Sequence, residues 1–267
     1  MTVSPRHDAP SRDVVPEAVA AAVQVLLCDA DGNLFPSEQP AFEASAVVTN
    51  ELLAELGIGG RWTGEELRRA TTGMTFRRTV TALAADHGIT EIDGLERWVE
   101  REKQVVTEHL VTTLHPDHAV LDPLSELARY VGLAAVSSSA LTRLQRCLAA
   151  TGLDRLFAPE QVFSAEDSLP TATSKPDPAI YRHACRQLGI APQAGLAIED
   201  SVAGVRSAVA AGCPVVGNVQ FVPPAERANR IAELNDAGAV GVLRSWSELA
   251  ELLLPVLAGR SSFAGEA

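Results

Sequence analysis

The sequence is short of basic residues and contains no long apolar run. Its 267 residues include 22 Lys and Arg against 34 Asp and Glu, which gives a formal net charge of −12. This balance argues against a protein that binds nucleic acid or an anionic membrane, because both partners require a basic surface. No run approaches the roughly 18 apolar residues that predict a membrane-spanning helix. We therefore expect no nucleic-acid partner and no membrane partner.

Cysteine is also sparse, and its copies lie far apart. The four residues Cys28, Cys147, Cys185 and Cys213 form no CxxC pair, which favours reduced thiols in a cytoplasmic protein. Cys28 ends an apolar run, so we interpret it as a small core residue rather than a nucleophile. Residues 1–20 have mixed charges and no apolar segment typical of a secretory signal. Cytoplasmic localisation is therefore expected.

Hydrophobic periodicity divides the chain into two zones, without internal repeats or low-complexity blocks. Residues 37–118 have apolar residues at helical spacing and no convincing strand pattern. Within them, Thr63 followed by Glu66 has the spacing of a capping box, which marks the start of a helix. From residue 120 onwards, short apolar runs alternate with helical patterns, which is typical of βαβ units and a mainly parallel sheet.

The apolar run Val23–Cys28 predicts a first strand that belongs with the later, alternating zone. The expected fold class is therefore α/β, with a Rossmann-like parallel-sheet core and an α-helical cap domain inserted after the first strand. The expected parts are a flexible N-terminal tail at 1–20, a catalytic core formed by 21–36 and 119–258, a helical cap at 37–118 and a flexible C-terminal tail at 259–267. An insertion at that point would act as a lid over the carboxyl edge of the sheet.

Two carboxylates follow that first strand, and they are the most informative feature of the chain. Asp29 and Asp31 stand one residue apart, directly before Gly32. Carboxylates are costly to desolvate at the end of a buried strand, so a cation is expected beside them. Because open α/β sheets place active sites at the carboxyl ends of their strands, the pair predicts a Mg²⁺ site with one carboxylate free to attack a substrate. The plainer interpretation is an acidic turn, since Asp-Gly is a common turn dipeptide.

Three later strand ends or loops carry residues of matching chemistry. Ser137 follows one predicted strand, Lys175 lies in a stiff loop before a helix, and Glu199 and Asp200 follow another strand. Hydroxyl and amide groups can hold phosphate oxygens, a lysine can neutralise them, and a second acid pair can complete a divalent-cation site. Taken singly, each segment has a plainer interpretation as a helix cap, a solvated lysine or an acidic helix start.

Together these four segments resemble the motifs of the haloacid dehalogenase-like hydrolase superfamily. The matching residues are Asp29-Ala30-Asp31-Gly32-Asn33-Leu34 for the first motif, Ser137 for the second, Lys175 in Lys-Pro-Asp-Pro for the third, and Glu199-Asp200-Ser201 with Gly204 for the fourth. The resemblance covers about residues 22–257, and the place of the insertion is similar to that of the subgroup with a helical cap. This subgroup includes enzymes similar to phosphoglycolate phosphatase, sugar phosphatases and β-phosphoglucomutase.

The resemblance implies a phosphatase that works through an aspartyl-phosphate intermediate. Asp29 would be the nucleophile, Asp31 the general acid and then the general base, and Lys175 would offset the charge of Asp29 and the phosphate. The presence of Asp31 favours phosphate monoesters, because dehalogenases and phosphonate-cleaving members usually lack this second acid. The partner would be a small phosphorylated substrate, such as a sugar phosphate, which suits an acidic chain because a metal ion and local donors override its overall field.

The resemblance also implies which residues bind the cofactor and the substrate. Mg²⁺ would be held by Asp29, Asp31 (through its backbone carbonyl) and Asp200, with Glu199 either a further ligand or a residue that supports the ligands. Phosphoryl oxygens would be bound by Ser137, the Ser138 amide and Lys175. The segment Thr72–Arg78 stands where relatives have a specificity loop, and Arg77 or Arg78 could reach a second anionic or polar group of the substrate. The plainer interpretation of Arg77 is a solvated helix face.

Two departures from the family pattern bear on the function. Asn33 replaces the usual Thr of the first motif, so the contacts at this position are expected to differ. Ala41 stands where β-phosphoglucomutase-like sequences typically have a cap-contacting His, which favours a hydrolase over a phosphomutase. A non-catalytic phosphometabolite-binding protein is the other alternative, and the complete set of motifs argues against it. The sequence does not name the substrate, and we expect a monomer or a homodimer.

Overall fold

The computed structural model describes residues 15–71 and 73–263, so the outer parts of both predicted tails lie outside the described residues. The chain forms two compact units, which we call the α/β unit and the helical unit. The α/β unit comprises the described parts of Met1–Phe35, Pro116–Gln145 and Gly152–Ala267, and the helical unit comprises those of Pro36–His115 together with Arg146–Thr151.

The strands are β1 (Val25–Cys28), β2 (Gly132–Ser137), β3 (Val162–Ser164), β4 (Gly195–Glu199), β5 (Val215–Asn218) and β6 (Gly241–Leu243). The α-helices are α1 (Glu17–Ala22), α2 (Glu38–Glu55), α3 (Gly64–Thr71), α4 (Phe76–Ala85), α5 (Leu95–Thr113), α6 (His118–Leu127), α7 (Leu141–Ala150), α8 (Ala179–Gln187), α9 (Val202–Ala211), α10 (Arg227–Asp236) and α11 (Trp246–Phe263). In the part of the chain that the structure describes, none of these helices is long and apolar enough to span a bilayer.

The sheet of the α/β unit is parallel throughout, and its strand order is β3-β2-β1-β4-β5-β6. The chain therefore proceeds to one side of β1 with β2 and β3, and to the other side with β4, β5 and β6. In open α/β sheets, a crevice forms at such a reversal, outside the carboxyl ends of the strands. The predicted α/β fold with a Rossmann-like parallel sheet is confirmed.

The central strands are apolar because both faces of a parallel sheet are covered. All residues of β1, β4 and β5 are buried, and runs of this kind are typical of strands between two layers of helices. The register pairs Cys28 of β1 with Ala135 of β2 on one side and with Ile198 of β4 on the other. The residues that follow these strands therefore lie side by side at one edge of the sheet.

The helical unit has an apolar core of its own. Val48, Leu52 and Val80 are buried in it. The predicted capping box at the start of α3 is confirmed, since the Thr63 N–H donates to Oε2 of Glu66 at 2.9 Å. In return, the Glu66 N–H donates to Oγ1 of Thr63 at 3.2 Å, and these bonds satisfy N–H groups that the first turn of a helix leaves without intrahelical acceptors.

Parts of the predicted flexible tails are helical instead. Residues 17–20 belong to α1, and residues 259–263 continue α11. The physical reason is Arg260, whose Nη1 donates to the Val23 carbonyl at 2.8 Å and whose Nη2 donates to the Ala20 carbonyl at 2.5 Å. These bonds join the end of α11 to carbonyls at the end of α1. The hydrophobic periodicity of either segment does not predict such long-range bonds.

Replacing Arg260 by Ala is expected to lower the free energy of unfolding by about 1.5–3 kcal/mol, the range for hydrogen bonds to a charged group. Chemical denaturation monitored by circular dichroism measures this change. The exposed Arg129, changed to Ala, is the control. Equal stability of the two variants would contradict the anchoring role of Arg260.

Candidate active site

Polar residues collect at the carboxyl edge of the α/β sheet. Asp29 directly follows β1, Ser137 ends β2 and Glu199 ends β4. Because β1 lies between β2 and β4, these three chain segments are neighbours. Lys175 reaches the same edge from the loop between β3 and α8, and its ammonium donates to the Val136 carbonyl at 2.8 Å. Segments far apart in the sequence thus meet at one place.

The first motif forms a tight turn after β1. The Ala30 carbonyl accepts hydrogen bonds from the N–H groups of Asn33 at 3.2 Å and Leu34 at 2.9 Å. Gly32 has a φ of +76°, in the left-handed region that glycine adopts readily. A Cβ at Gly32 would also overlap Oδ2 of Asp200. The glycine therefore permits both the turn and the close approach of the Asp200 carboxylate.

Three acids form a buried carboxylate cluster at this edge. Asp29, Glu199 and Asp200 each offer one oxygen, and these oxygens lie within 4.8 Å of one another. Lys175 offsets part of their charge, because its ammonium pairs with Oδ1 of Asp29 and donates to Oε1 of Glu199 at 2.7 Å. One ammonium balances one carboxylate, so full ionisation of the three acids would give this group of four side chains excess negative charge.

Burial and the neighbouring charges shift the pKa values of Asp29 and Lys175. Burial is the largest cause and raises the pKa of Asp29, Lys175 lowers it, and the Glu199 and Asp200 carboxylates raise it; the net result is a pKa well above the usual value. For Lys175, burial lowers the pKa of the ammonium, but Asp29 and Glu199 outweigh burial and hold the pKa above its usual value. Lys175 therefore stays charged, whereas ionised Asp29 requires additional positive charge nearby.

One carboxylate oxygen of Glu199 is hydrogen-bonded, and the other is buried without a hydrogen-bond partner among the described residues. Its Oε1 accepts hydrogen bonds from Lys175 and from the hydroxyl of Tyr181. The Lys175 ammonium also lies 5.2 Å from the centre of the Tyr181 ring, within the range of a cation–π contact. Oε2 of Glu199 is buried and has no hydrogen-bond partner among the described residues. Such an oxygen is costly to bury unless a cation binds it, which fits a metal ligand.

Asp31 is oriented by a serine relay from β2. Its Oδ2 accepts a hydrogen bond from the Ser139 hydroxyl at 2.7 Å. Ser139 is held in turn by its N–H, which donates to Oγ of Ser137 at 3.0 Å, and by its carbonyl, which accepts from the Ser164 hydroxyl at 2.8 Å. These bonds fix the direction of the Asp31 carboxylate.

Ser138 connects this relay to the lysine loop, since its Oγ accepts a hydrogen bond from the N–H of Lys175 at 3.1 Å. The structure therefore brings the predicted site residues of the α/β unit to one edge of its sheet. These residues are Asp29, Asp31, Ser137, Ser138, Lys175, Glu199 and Asp200.

A comparison with protein families agrees with this geometry. Residues 12–212 match the family described as haloacid dehalogenase-like hydrolase. The protein belongs to this family. Its helical unit is inserted between β1 and α6, as in the helical-cap subgroup that the sequence resembles.

The matches to known relatives extend over most of the length of this chain. Protein CbbY of Cereibacter sphaeroides is 30% identical over 239 residues, which cover 86% of this chain and 95% of the relative. A HAD family hydrolase from Deinococcus radiodurans R1, solved with bound phosphate and sodium, has a TM-score of 0.67 and 29% identity, covering 88% of this chain and 97% of that one. A CbbY mutant from Rhodobacter sphaeroides, solved with xylulose-(1,5)bisphosphate, has a TM-score of 0.62 and 25% identity, covering 85% of this chain and 96% of that one.

Arg77, the predicted substrate-binding residue of the helical unit, lies on α4. Its Nη2 pairs with Oε2 of Glu96 at 2.6 Å, and 45% of the Arg77 side chain is exposed. An exposed ion pair of this kind contributes little to stability. The guanidinium can therefore exchange partners at small cost, and its role in substrate binding stays a prediction.

Cys28 of the hydrolase is a core residue, as its place in the apolar run predicts. It is fully buried in β1. Burial raises the pKa of its thiol, and the neighbouring Asp29 carboxylate raises it further. Because the thiolate is the reactive form of cysteine, these shifts argue against Cys28 as a nucleophile.

Some bonded residues of the site were not predicted from the sequence. They are Ser139, Tyr181 and Asn218, whose Nδ2 donates to Oδ1 of Asn33 at 2.9 Å. A signal exists for Asn218, since a polar residue at the end of a buried strand is the same pattern that marks Ser137 and Glu199. Tyr181 is two residues inside α8, and its neighbours in the sequence give no indication of a hydroxyl bond to Glu199.

Replacing Gly204 by Ala is expected to disturb this site. Gly204 lies in the first turn of α9, where a Cβ would overlap Oε2 of Glu199. Because Lys175 and Tyr181 hold the Glu199 carboxylate, it cannot withdraw without losing their bonds. We expect a loss of about 1–3 kcal/mol in the free energy of unfolding, the usual cost of overpacking.

Thermal unfolding of the Gly204→Ala variant measures this effect. The control is Gly59→Ala, because a Cβ at Gly59 would meet nothing within 4 Å. Alanine favours a helix over glycine by about 1 kcal/mol, so a stabilised Gly204→Ala variant would show that no such overlap exists.

Proposed function

We propose that this hydrolase is a Mg²⁺-dependent phosphatase that releases phosphate from a small phosphorylated metabolite through an aspartyl-phosphate intermediate. The observation that carries the proposal is the contact between the buried Asp29 carboxylate and the Lys175 ammonium, beside two further carboxylates. A carboxylate can attack an anionic phosphate only where the negative charge around both is offset. The phosphate bound to the Deinococcus relative supports phosphate binding by the site proposed here.

The buried cluster suits a hard divalent cation, which prefers oxygen ligands. Asp29, Glu199 and Asp200 would supply carboxylate oxygens. Oε2 of Glu199, which has no hydrogen-bond partner among the described residues, supports this assignment. The backbone carbonyl of Asp31 is the remaining proposed ligand. When bound, Mg²⁺ would supply charge neutralisation for the nucleophile and the phosphate in the transition state.

In the first half-reaction, Asp29 attacks phosphorus in line with the leaving oxygen. A bond forms between a carboxylate oxygen of Asp29 and phosphorus, while the bond from phosphorus to the leaving oxygen breaks. Asp31, in its protonated form, gives its proton to that oxygen, so that an alcohol departs. The hydrogen bond from Ser139 holds Asp31 in one direction during this transfer.

In the second half-reaction, water attacks phosphorus. Asp31, now ionised, accepts a proton from the water, and the bond between Asp29 and phosphorus breaks to release inorganic phosphate. Lys175 stays charged in both steps and offsets the charge of Asp29 and the phosphoryl group. The Ser137 hydroxyl and the Ser138 amide would donate hydrogen bonds to the phosphoryl oxygens.

The proposed substrate class is a sugar phosphate. It is supported by the xylulose-(1,5)bisphosphate bound to the CbbY mutant, to which this chain is 25% identical. A ligand with two phosphates requires a second cationic group. Arg77 is the residue of the helical unit that we propose for a second anionic or polar group of the substrate, in exchange for its pairing with Glu96.

Phosphate release from a panel of phosphorylated metabolites tests the proposed function. We expect release by the wild type only when Mg²⁺ is present, and none above background after Asp29→Asn, because the amide cannot form the aspartyl-phosphate. Asp122→Asn is the matched control, since Asp122 is an exposed acid on α6.

Each alternative activity has its own outcome in this assay. Conversion of sugar 1-phosphates without phosphate release would indicate a phosphomutase. Binding of metabolites without turnover would indicate a non-catalytic protein. Full phosphate release by Asp29→Asn would contradict Asp29 as the nucleophile.

The role of Asp31 is tested with two leaving groups. A sugar alcohol needs a proton to leave, whereas p-nitrophenolate does not. Asp31→Asn is therefore expected to slow phosphorylation of the enzyme far more with a sugar phosphate than with p-nitrophenyl phosphate. The second step loses its general base with either substrate, and we expect a fall in steady-state turnover of about 10²–10⁴-fold.

With p-nitrophenyl phosphate, the Asp31→Asn variant is therefore expected to release a burst of about one equivalent of nitrophenol per enzyme and then to turn over slowly. Rapid mixing with absorbance detection measures the burst. Equal losses in the rate of phosphorylation for both leaving groups would contradict Asp31 as the general acid.

A further inference from the structure

Asn33, which stands where the family usually has Thr, is a fully buried amide within a hydrogen-bond relay. Its Nδ2 group donates to the carbonyl of Asp29 at 2.9 Å and to the carbonyl of Ile198 at 3.1 Å. Its Oδ1 accepts a hydrogen bond from Nδ2 of Asn218 at 2.9 Å. Both N–H bonds and the oxygen of Asn33 are therefore used, and we call Asn33 and Asn218 the asparagine pair.

The backbone at each end of the asparagine pair fixes the direction of both amides. Carbonyl oxygens only accept hydrogen bonds, so the amide nitrogen of Asn33 must face Asp29 and Ile198. At the other end, the N–H of Gln220 donates to Oδ1 of Asn218 at 3.0 Å. Since an N–H only donates, the amide nitrogen of Asn218 must face Asn33. The relay thus has one consistent direction from β5 to β1.

This relay joins the carboxyl ends of β1, β4 and β5. Asp29 follows β1, Ile198 immediately precedes Glu199 in β4, and Asn218 is the last residue of β5. The Ile198 carbonyl also accepts from the N–H of Asp29 at 3.0 Å. Asp29 is therefore tied to β4 through its own N–H and, by way of Asn33, through its carbonyl.

The backbone of Asn33 is held as firmly as its side chain. The indole Nε1 of Trp246 donates to the Asn33 carbonyl at 3.0 Å. The backbone N–H of Trp246 donates to Oε1 of Gln220 at 2.9 Å, so the start of α11 is tied to the residue that orients Asn218. With its backbone fixed, Asn33 cannot move to restore a lost side-chain bond.

We infer that the asparagine pair positions the backbone of Asp29 relative to Glu199 and Asp200, and thereby sets the spacing of the carboxylates that hold the metal ion. This inference rests on the proposed function. The usual Thr has one donor on a shorter side chain and cannot bond to two carbonyls. Its hydroxyl is one bond closer to the backbone than Oδ1 of Asn33, so the buried amide of Asn218 would lose the acceptor now within its reach. Asn33 and Asn218 therefore depend on each other.

Three variants test the asparagine pair: Asn33→Thr, Asn218→Leu and the double variant. Calorimetric titration with Mg²⁺ alone is expected to give a dissociation constant raised by about tenfold or more in each single variant, as for other residues that orient metal ligands. We expect kcat for phosphate release to fall while KM changes little, because the phosphate-binding serines are untouched.

The double variant shows whether Asn33 and Asn218 act as a pair or independently, because in a pair the second substitution restores part of the stability lost by the first. In the double variant, the Asn218→Leu substitution removes the amide that Asn33→Thr leaves without an acceptor. The double variant is therefore expected to unfold at a higher temperature than Asn33→Thr alone and to bind Mg²⁺ no more weakly. Should Asn33→Thr fail to fold, the Mg²⁺ affinity of Asn218→Leu decides the question.

The control is Asn50→Thr in the helical unit. Asn50 likewise bonds to the backbone on both sides of its amide, accepting from the Trp62 N–H at 2.8 Å and donating to the Trp62 carbonyl at 2.9 Å. This variant is expected to lower the unfolding temperature and to leave the Mg²⁺ affinity unchanged. The same result for the asparagine-pair variants would overturn the inference, because it would show a role in stability alone.

The wild-type protein separates the two proposals. Mg²⁺ binding without phosphate release would contradict the proposed phosphatase and leave the positioning inference to be decided by the affinities of the variants. Absence of Mg²⁺ binding by the wild type would overturn both. Phosphate release by the wild type with unchanged Mg²⁺ affinity and kcat in the variants would overturn the positioning inference alone.

Discussion

The ion pairs of Lys175 are the interactions on which the site depends. A single ammonium contacts Asp29 and Glu199 at the end of a buried sheet, where isolated carboxylates would be costly to desolvate. It also donates to the Val136 carbonyl, so its position is set by β2 as well as by the acids. Its single charge leaves an imbalance against three ionised carboxylates, and burial, followed by the Glu199 and Asp200 carboxylates, raises the pKa of Asp29. A divalent cation is the ligand that this imbalance favours.

The acids also constrain the residues packed against them. Gly32 and Gly204 lie where any Cβ would overlap the Asp200 or Glu199 carboxylate. Here glycine is required for space, and at Gly32 for a left-handed turn as well. Behind the acids, the amides of Asn33 and Asn218 join the strand ends on which the carboxylates stand. Electrostatics therefore selects the charged residues, while close packing and directed hydrogen bonds determine their neighbours.

Sequence patterns predicted the residues whose chemistry is visible at a strand end. Asp29, Ser137 and Glu199 each follow an apolar run, and a parallel sheet brings such ends together. The bond between Tyr181 and Glu199 was not predictable in this way, since it depends on which face of α8 lies against the sheet. Arg260 is similar, because its anchoring of α11 depends on carbonyls more than 230 residues earlier in the chain. Contacts of this kind depend on side-chain direction, which periodicity does not specify.

By itself, the sequence determined the α/β fold class, the place of the helical insertion and the acids, serine and lysine that meet at one edge, because hydrophobic period and strand-end chemistry are local properties. Only the tertiary structure decided that Oε1 of Glu199 is bonded while its buried Oε2 has no hydrogen-bond partner among residues 15–71 and 73–263. It also decided that Asn33 finds its partner in Asn218, 185 residues away. The physical reason is that a hydrogen bond requires a donor and an acceptor at the right distance and angle, and folding alone brings distant segments into that geometry.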